Sequence, residues 1–330
     1  MLNSMLHGPH PTLNRRRFLI STSAAMGTLA IGAGSSLTAC SKPLDPPTLA
    51  AVFPTIGVLA AGVPQRMAFS IIDPGEVAGV VALPADDQTV EVRLVSNGEV
   101  LDEFVVTSHV LNHDHNDGDG EHGHSDLRRY YPARFTIPDA GDYTLEVMIP
   151  NGAAFGQAVS ASLDITAYDR SEVSVILPNE QVPAVETPTF ANSAGVDHVC
   201  TRAEPCPFHE QSFADVIANG RPTALLLATA AYCHSGHCPP ALDALIEAGT
   251  KVTGIDIVHA EIFANPDQVD GNIVDPAIRK VPAMEALGLS FAPSLFLVNS
   301  DGSLVDRLDI VFDVDEATAG SSRARIKLDI

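Results

Sequence analysis

The sequence predicts two folded parts in series: an all-β sandwich, then an α/β domain whose mixed central sheet is flanked by helices. Three observations carry this. Residues 50–170 hold short stretches of alternating apolar and polar residues separated by turn signals, as half-buried strands do. Residues 198–330 alternate apolar runs of strand length with stretches of helical spacing. Between them, residues 171–197 carry Pro178, Pro183 and Pro188 with few periodic features and read as an extended linker.

Residues 1–39 read as a targeting segment, not as part of a fold. Asn14-Arg15-Arg16-Arg17-Phe18-Leu19 matches a twin-arginine export pattern. The run from Ile20 to Ile31 is too short, and too rich in Gly, Ser and Thr, to span a bilayer well. Leu37-Thr38-Ala39-Cys40 resembles a bacterial lipobox, so cleavage before Cys40 would leave a lipidated cysteine. The alternative is an ordinary cleavable signal with an unrelated cysteine. The lipidated reading puts the chain on the extracytoplasmic face of a bacterial membrane, periplasm or cell surface. Residues 40–49 then form its tether. No later stretch is apolar enough to span a bilayer.

The 330 residues leave room for two domains after the signal. The leader holds three of the 19 basic residues and none of the 41 acidic ones. The mature chain is thus strongly acidic, which argues against nucleic acid and anionic membrane surfaces as partners. An exported location also permits disulfides between cysteines.

In the first domain, Thr89 to Val95 alternates, Asn97-Gly98 signals a hairpin, and Val100 to Val106 returns. Ala133 to Ile137, Tyr143 to Val147 and Ala158 to Ala167 supply further strands. Short strands at this spacing suggest an immunoglobulin-like sandwich. Within it, residues 109–126 crowd His109, His113, His115, His122 and His124 among acids and glycines. Imidazole and carboxylate suit zinc, copper or nickel. The spacing defines no tetrahedral site, and a solvated loop is the competing reading.

The second domain centres on Leu225 to Leu245. An apolar run is followed by Cys233-His-Ser-Gly-His-Cys238-Pro-Pro, then by helical spacing. Pro239 and Pro240 suit a first helical turn. Cys238 falls at the helix N-terminus, where the helix dipole favours a thiolate. His234 and His237 flank the pair. A helix is expected over 210–219 and another over 277–287, with a strand over 252–263 and a hairpin around Asp301-Gly302. Val314 to Ala319 reads as a short final helix, interrupted by Gly320-Ser-Ser.

This pattern resembles the thioredoxin superfamily over roughly residues 198–312. Cys238-Pro-Pro-Ala241 stands where that family carries Cys-x-x-Cys, and Cys233 would supply the second sulfur from upstream. Phe291-Ala-Pro293-Ser is similar to the family's active-site proline, which follows a cis peptide bond and faces the cysteines. The resemblance implies thiol–disulfide exchange on exported proteins with no required cofactor. Cys238 would be the nucleophile and Cys233 its resolving partner, or the reverse. The proline's backbone would pair with a bound substrate strand and discourage metal capture.

Upstream, His198-Val-Cys200 to Cys206-Pro-Phe-His209 resembles an opening segment of exported bacterial thioredoxin-like proteins. Three readings stay open for it. They are a structural Cys200–Cys206 disulfide, a redox partner of the Cys233/Cys238 pair, and a metal site of Cys200, Cys206 and His209, with His198 as a further ligand. Other readings of the whole chain are a copper chaperone of the Sco type using Cys233, Cys238 and a histidine such as His259, a peroxidase, or a non-catalytic module with two disulfides.

Overall fold

The computed structural model describes residues 47–54, 56–72, 89–111, 128–149, 158–233, 236–269 and 278–326. The leader, Cys40, His234 and the histidines at 113, 115, 122 and 124 lie outside the described residues. Residues Leu44–Ile330 form one compact unit. Among the described residues no helix is long and apolar enough to cross a membrane.

Among the described residues eight strands build the first part: β1 (Thr48–Ala51), β2 (Pro64–Ile72), β3 (Thr89–Ser96), β4 (Glu99–Thr107), β5 (His109–Leu111), β6 (Arg128–Thr136), β7 (Gly141–Ile149) and β8 (Val159–Ala167). They make two four-stranded antiparallel sheets, β1-β2-β6-β5 and β4-β3-β7-β8. Alternation sets the faces. Val90, Val92 and Leu94 point inward, while Glu91 and Arg93 point out. Met67, Phe69, Tyr131 and Phe135 of one sheet share a single core with Val92, Leu94, Leu145 and Val147 of the other. The first part is therefore a β-sandwich. Asn97 and Gly98 both take positive φ, 50° and 80°, as a two-residue hairpin turn between twisted strands requires. One boundary moves. Thr48 and Leu49, read as tether, pair with Ile72 and Ile71 and belong to the sheet.

The second part holds β9 (Thr223–Leu227), β10 (Asp256–Ala260), β11 (Ser294–Val298) and β12 (Leu304–Asp309) in the order β10-β9-β11-β12. β10 runs parallel to β9, and β11 runs antiparallel to both of its neighbours. Among the described residues four α-helices accompany them: α1 (Phe213–Ala218), α2 (Cys238–Lys251), α3 (Pro282–Ala286) and α4 (Val314–Ile326). β9 is buried at every residue. Leu225 and Leu227 enter one core, and Ala224 and Leu226 enter the opposite one. A strand covered on both faces reads as a continuous apolar run, as this one does.

Two expectations are corrected. Residues 171–197 were expected to be an extended linker, but they pack on this sheet. Val173, Val175, Leu177 and Val182 enter the same core as Leu225, and Gln181 bridges to Ser303. The final helix is not short. α4 runs through Gly320, because that glycine serves packing and does not end the helix. An added Cβ at Gly320 would lie 2.2 Å from Cδ1 of Leu297 on β11. Ala317, Ser321 and Ala324 are fully buried beside it at helical spacing, so small residues let α4 lie close to the sheet.

Candidate functional site: two sulfur pairs at one end of the sheet

Cys233 sits in the loop after β9, and Cys238 is the first residue of α2. Cys238, Ala241, Leu242, Leu245 and Ala248 form the buried stripe of α2. That stripe holds the Cys238 side chain inward at 1 % exposure, whereas Cys233 is half-buried. The amide of Cys238 donates to Sγ of Cys233 at 3.2 Å. An amide at a helix N-terminus stabilises negative charge on the sulfur it faces. The hydrogen bond with Cys233 and burial push the Cys238 thiol well above its ordinary value. Of the two, Cys233 is thus the reachable sulfur and Cys238 the one that keeps its proton.

The peptide bond before Pro293 is cis. Ser294 is in register with Leu227, so Pro293 lies at the end of β9 from which the Cys233 loop departs. Ala292 and Cys233 pack against the same core cluster.

Beside this pair lies a carboxyl that the sequence reading did not single out. Glu261, one residue past β10, is fully buried. Burial pushes it up to about 7 against hydrogen bonds that favour its charged form. Oε1 accepts the amide of Ile262 at 2.9 Å, and Oε2 accepts the hydroxyl of Thr201 at 2.7 Å. The Thr201 oxygen in turn accepts the amides of Ala230 at 2.9 Å and Ala231 at 3.2 Å. Thr201 therefore ties the 198–206 segment to the loop that carries Cys233. The charge of Glu261 also contributes to the raised Cys238 thiol.

The second pair is Cys200 and Cys206. Ligand atoms of Cys200, Cys206, His209 and His259 all lie within 4.8 Å of one another. This group can hold a metal ion. The amide of His259, on β10, donates to the carbonyl of Phe208 at 3.0 Å, which aligns the Cys206–His209 stretch with that strand. His259 Nε2 donates to the carbonyl of Ala228 at 3.2 Å. Its Nδ1 then faces Sγ of Cys206 at 3.3 Å and Nε2 of His209 at 3.0 Å. Burial lowers His259, so the ring is held neutral. Cys206 is raised by its hydrogen bond with Cys200 and by burial, and the same contact lowers Cys200.

Among the described residues four cysteines are present, none in a disulfide: Cys200 and Cys233 half-buried, Cys206 and Cys238 buried. His198, considered as a ligand beside Cys200, turns away to Asp267 at 3.0 Å. His259, considered beside Cys233 and Cys238, stands with Cys206 instead. His109 is on β5 and pairs through Nδ1 with Asp313 at 2.7 Å. Asp313 and Glu316 lie close enough to His109 to form a second metal-capable group. Both Glu316 oxygens are already bonded to the Arg66 guanidinium, at 2.8 and 2.6 Å. A cation therefore occupies that corner.

No protein-family model matches the chain, and no curated protein does. A solved structure that resembles part of it is the CARDB domain of a Pyrococcus furiosus protein in complex with di-metal ions. The likeness covers 38 % of this chain and 96 % of that one, at 12 % identity and a TM-score of 0.21.

Proposed function

We propose that the chain is an exported, lipid-anchored thiol–disulfide oxidoreductase. It would join an immunoglobulin-like sandwich to a thioredoxin-like domain and act on exported proteins. The observation that carries this reading is the Cys233/Cys238 geometry: a reachable sulfur facing a helix N-terminal amide, with a buried thiol behind it. The strand order β10-β9-β11-β12, the sulfur pair between β9 and α2, and a cis proline opening β11 support the family resemblance. The twin-arginine pattern and Cys40 support export and the anchor.

In the proposed exchange the Cys233 thiolate attacks a substrate disulfide. A mixed disulfide forms and one substrate thiolate leaves. The Cys238 thiol then attacks Sγ of Cys233, and its proton passes to the departing substrate sulfur. The second substrate sulfur leaves, and a Cys233–Cys238 disulfide remains. The substrate gains the two electrons that the protein loses, and the reverse sequence oxidises a substrate dithiol. Exchange itself requires no cofactor. Zinc and copper are the ions suited to the neighbouring Cys/His group.

The test is insulin-type reduction with the Cys233→Ser and Cys238→Ser proteins. Cys233→Ser should be inert. Cys238→Ser should stall as a mixed disulfide with substrate, visible by mass. Undiminished turnover in both would end the proposal. Stoichiometric protection of the reduced Cys233/Cys238 pair by copper would favour a copper chaperone, but His259 already faces Cys206.

A further inference from the structure

We infer that Cys200, Cys206, His209 and His259 form a closed, four-coordinate zinc site, separate from the Cys233/Cys238 pair. Two sulfurs and two imidazole nitrogens converge here from the 198–209 segment and from β10, on residues that are buried except for half-buried Cys200. Structural zinc sites are built from this donor set, with bonds of about 2.0–2.1 Å to nitrogen and about 2.3 Å to sulfur. Such bonds in a tetrahedron place ligand atoms roughly 3.3–3.8 Å apart. The 3.3 Å between Cys206 Sγ and His259 Nδ1, and the 3.0 Å between His259 Nδ1 and His209 Nε2, need only small adjustments to reach this range.

The tautomer of His259 is already set. Its Nε2 proton is held by the Ala228 carbonyl, which leaves the Nδ1 lone pair aimed into the cluster. A ring nitrogen hydrogen-bonded to a backbone carbonyl behind a ligating one is the usual support of a metal-binding histidine. That single lone pair faces both Sγ of Cys206 and Nε2 of His209, and it can accept a well-aligned hydrogen bond from at most one of them. A cation among the four atoms resolves the conflict. His209 is fully buried, and its Nδ1 has no hydrogen-bond partner among the described residues, so no other contact commits the ring to presenting a proton at Nε2. Charge also balances. Binding of Zn²⁺ displaces the thiol protons to solvent, and two thiolates with one dication leave a neutral buried centre. His198, exposed and paired with Asp267, is not a ligand.

The experiment uses the full-length protein, reduced and desalted without oxygen in a mild detergent. Cobalt(II) is the probe. One equivalent should give a thiolate-to-cobalt charge-transfer band with intense visible bands of tetrahedral geometry, and zinc should bleach both. Cys200→Ser and His259→Gln should each weaken zinc binding by at least about tenfold. The Cys233→Ser/Cys238→Ser double variant should still bind one zinc. The wild-type spectrum alone is decisive if a variant fails to fold: no charge-transfer band overturns the site. So does a band lost only in the Cys233/Cys238 double variant. A Cys200–Cys206 disulfide without zinc in protein isolated without reductant overturns it too, as does copper in place of zinc.

Discussion

Replacing Glu261 with glutamine should abolish a large pH dependence of stability. The carboxyl is fully buried, and its folded value is raised from 4.5 to about 7. The folded protein therefore holds this proton more tightly than the unfolded chain does. Between those two values the folded state binds more protons, so stability falls as pH rises. The contribution is complete below about pH 4.5 and is lost by the time pH passes about 7. A shift of this size at about 1.36 kcal/mol per unit amounts to about 3 kcal/mol. Glutamine has the same shape and never ionises. Its oxygen can keep the Ile262 amide, but its amino group meets a Thr201 oxygen that already accepts two amides. That mismatch costs about 1 kcal/mol at every pH.

The assay is urea unfolding of wild type and Glu261→Gln, both reduced, across pH 4 to 9. The stability difference should swing by about 3 kcal/mol in favour of glutamine as pH rises, with its midpoint between the two carboxyl values. A difference that stays flat would refute the reasoning, since it would mean that the carboxyl titrates at its ordinary value in the folded protein. A swing of opposite sign would mean that the hydrogen bonds from Thr201 and Ile262 outweigh burial.

Three further outcomes are expected. Arg66→Met should lower stability by about 3–5 kcal/mol in thermal or urea unfolding, because it leaves the buried Glu316 carboxylate with the Tyr130 hydroxyl and the Arg134 guanidinium at 3.8 Å, without its close bidentate partner; adding Glu316→Leu should recover most of the loss. Gly320→Ala should destabilise by about 1–3 kcal/mol through the clash with Leu297, although alanine is the better helix former by about 1 kcal/mol. Thr201→Val should speed alkylation of Cys233 by iodoacetamide, because the amides of Ala230 and Ala231 lose their acceptor and the loop loosens; an unchanged rate would show that Thr201 does not hold that loop.

What was legible in the sequence was local. Asn97-Gly98 names its turn, because only a few residues tolerate positive φ in succession. Cys238 could be placed at the start of α2 because two prolines follow it. Gly320 misled because propensity weighs a glycine as a helix breaker, while the Leu297 contact that requires it lies 23 residues upstream and on another element. The partners of His259 were hidden for a similar reason. Its spacing from Cys206 carries no periodic signal, and only the pairing of the 206–209 stretch along β10 brings them together. Glu261 looked like one more acid in an acidic chain. Its one clue was its place among Val258, Ala260, Ile262 and Phe263, where a charge is out of keeping with burial.

The concentration of chemistry at one end of the second sheet follows from strand direction. β9 and β10 are parallel, so both finish at the same edge. β11 is antiparallel to β9, so it starts there. The residues after β9 carry Cys233 toward the N-terminus of α2, the residue after β10 is Glu261, and the residue before β11 is Pro293. The 198–209 segment crosses this edge and closes it with Thr201 on one side and the Cys206–His209 stretch on the other. A helix N-terminal amide, a buried carboxyl and a hydroxyl relay thus meet without any of them being near the others in sequence. Strand order, more than any single motif, decides that the two sulfur pairs share a neighbourhood. Glu261 bonds Thr201 and raises Cys238, while Cys200 adjoins Thr201 in the chain. A change at the Cys/His cluster therefore has a short covalent and hydrogen-bonded route to the loop of Cys233. In the zinc-free protein, Cys233 should alkylate faster, in the same direction as the Thr201→Val variant.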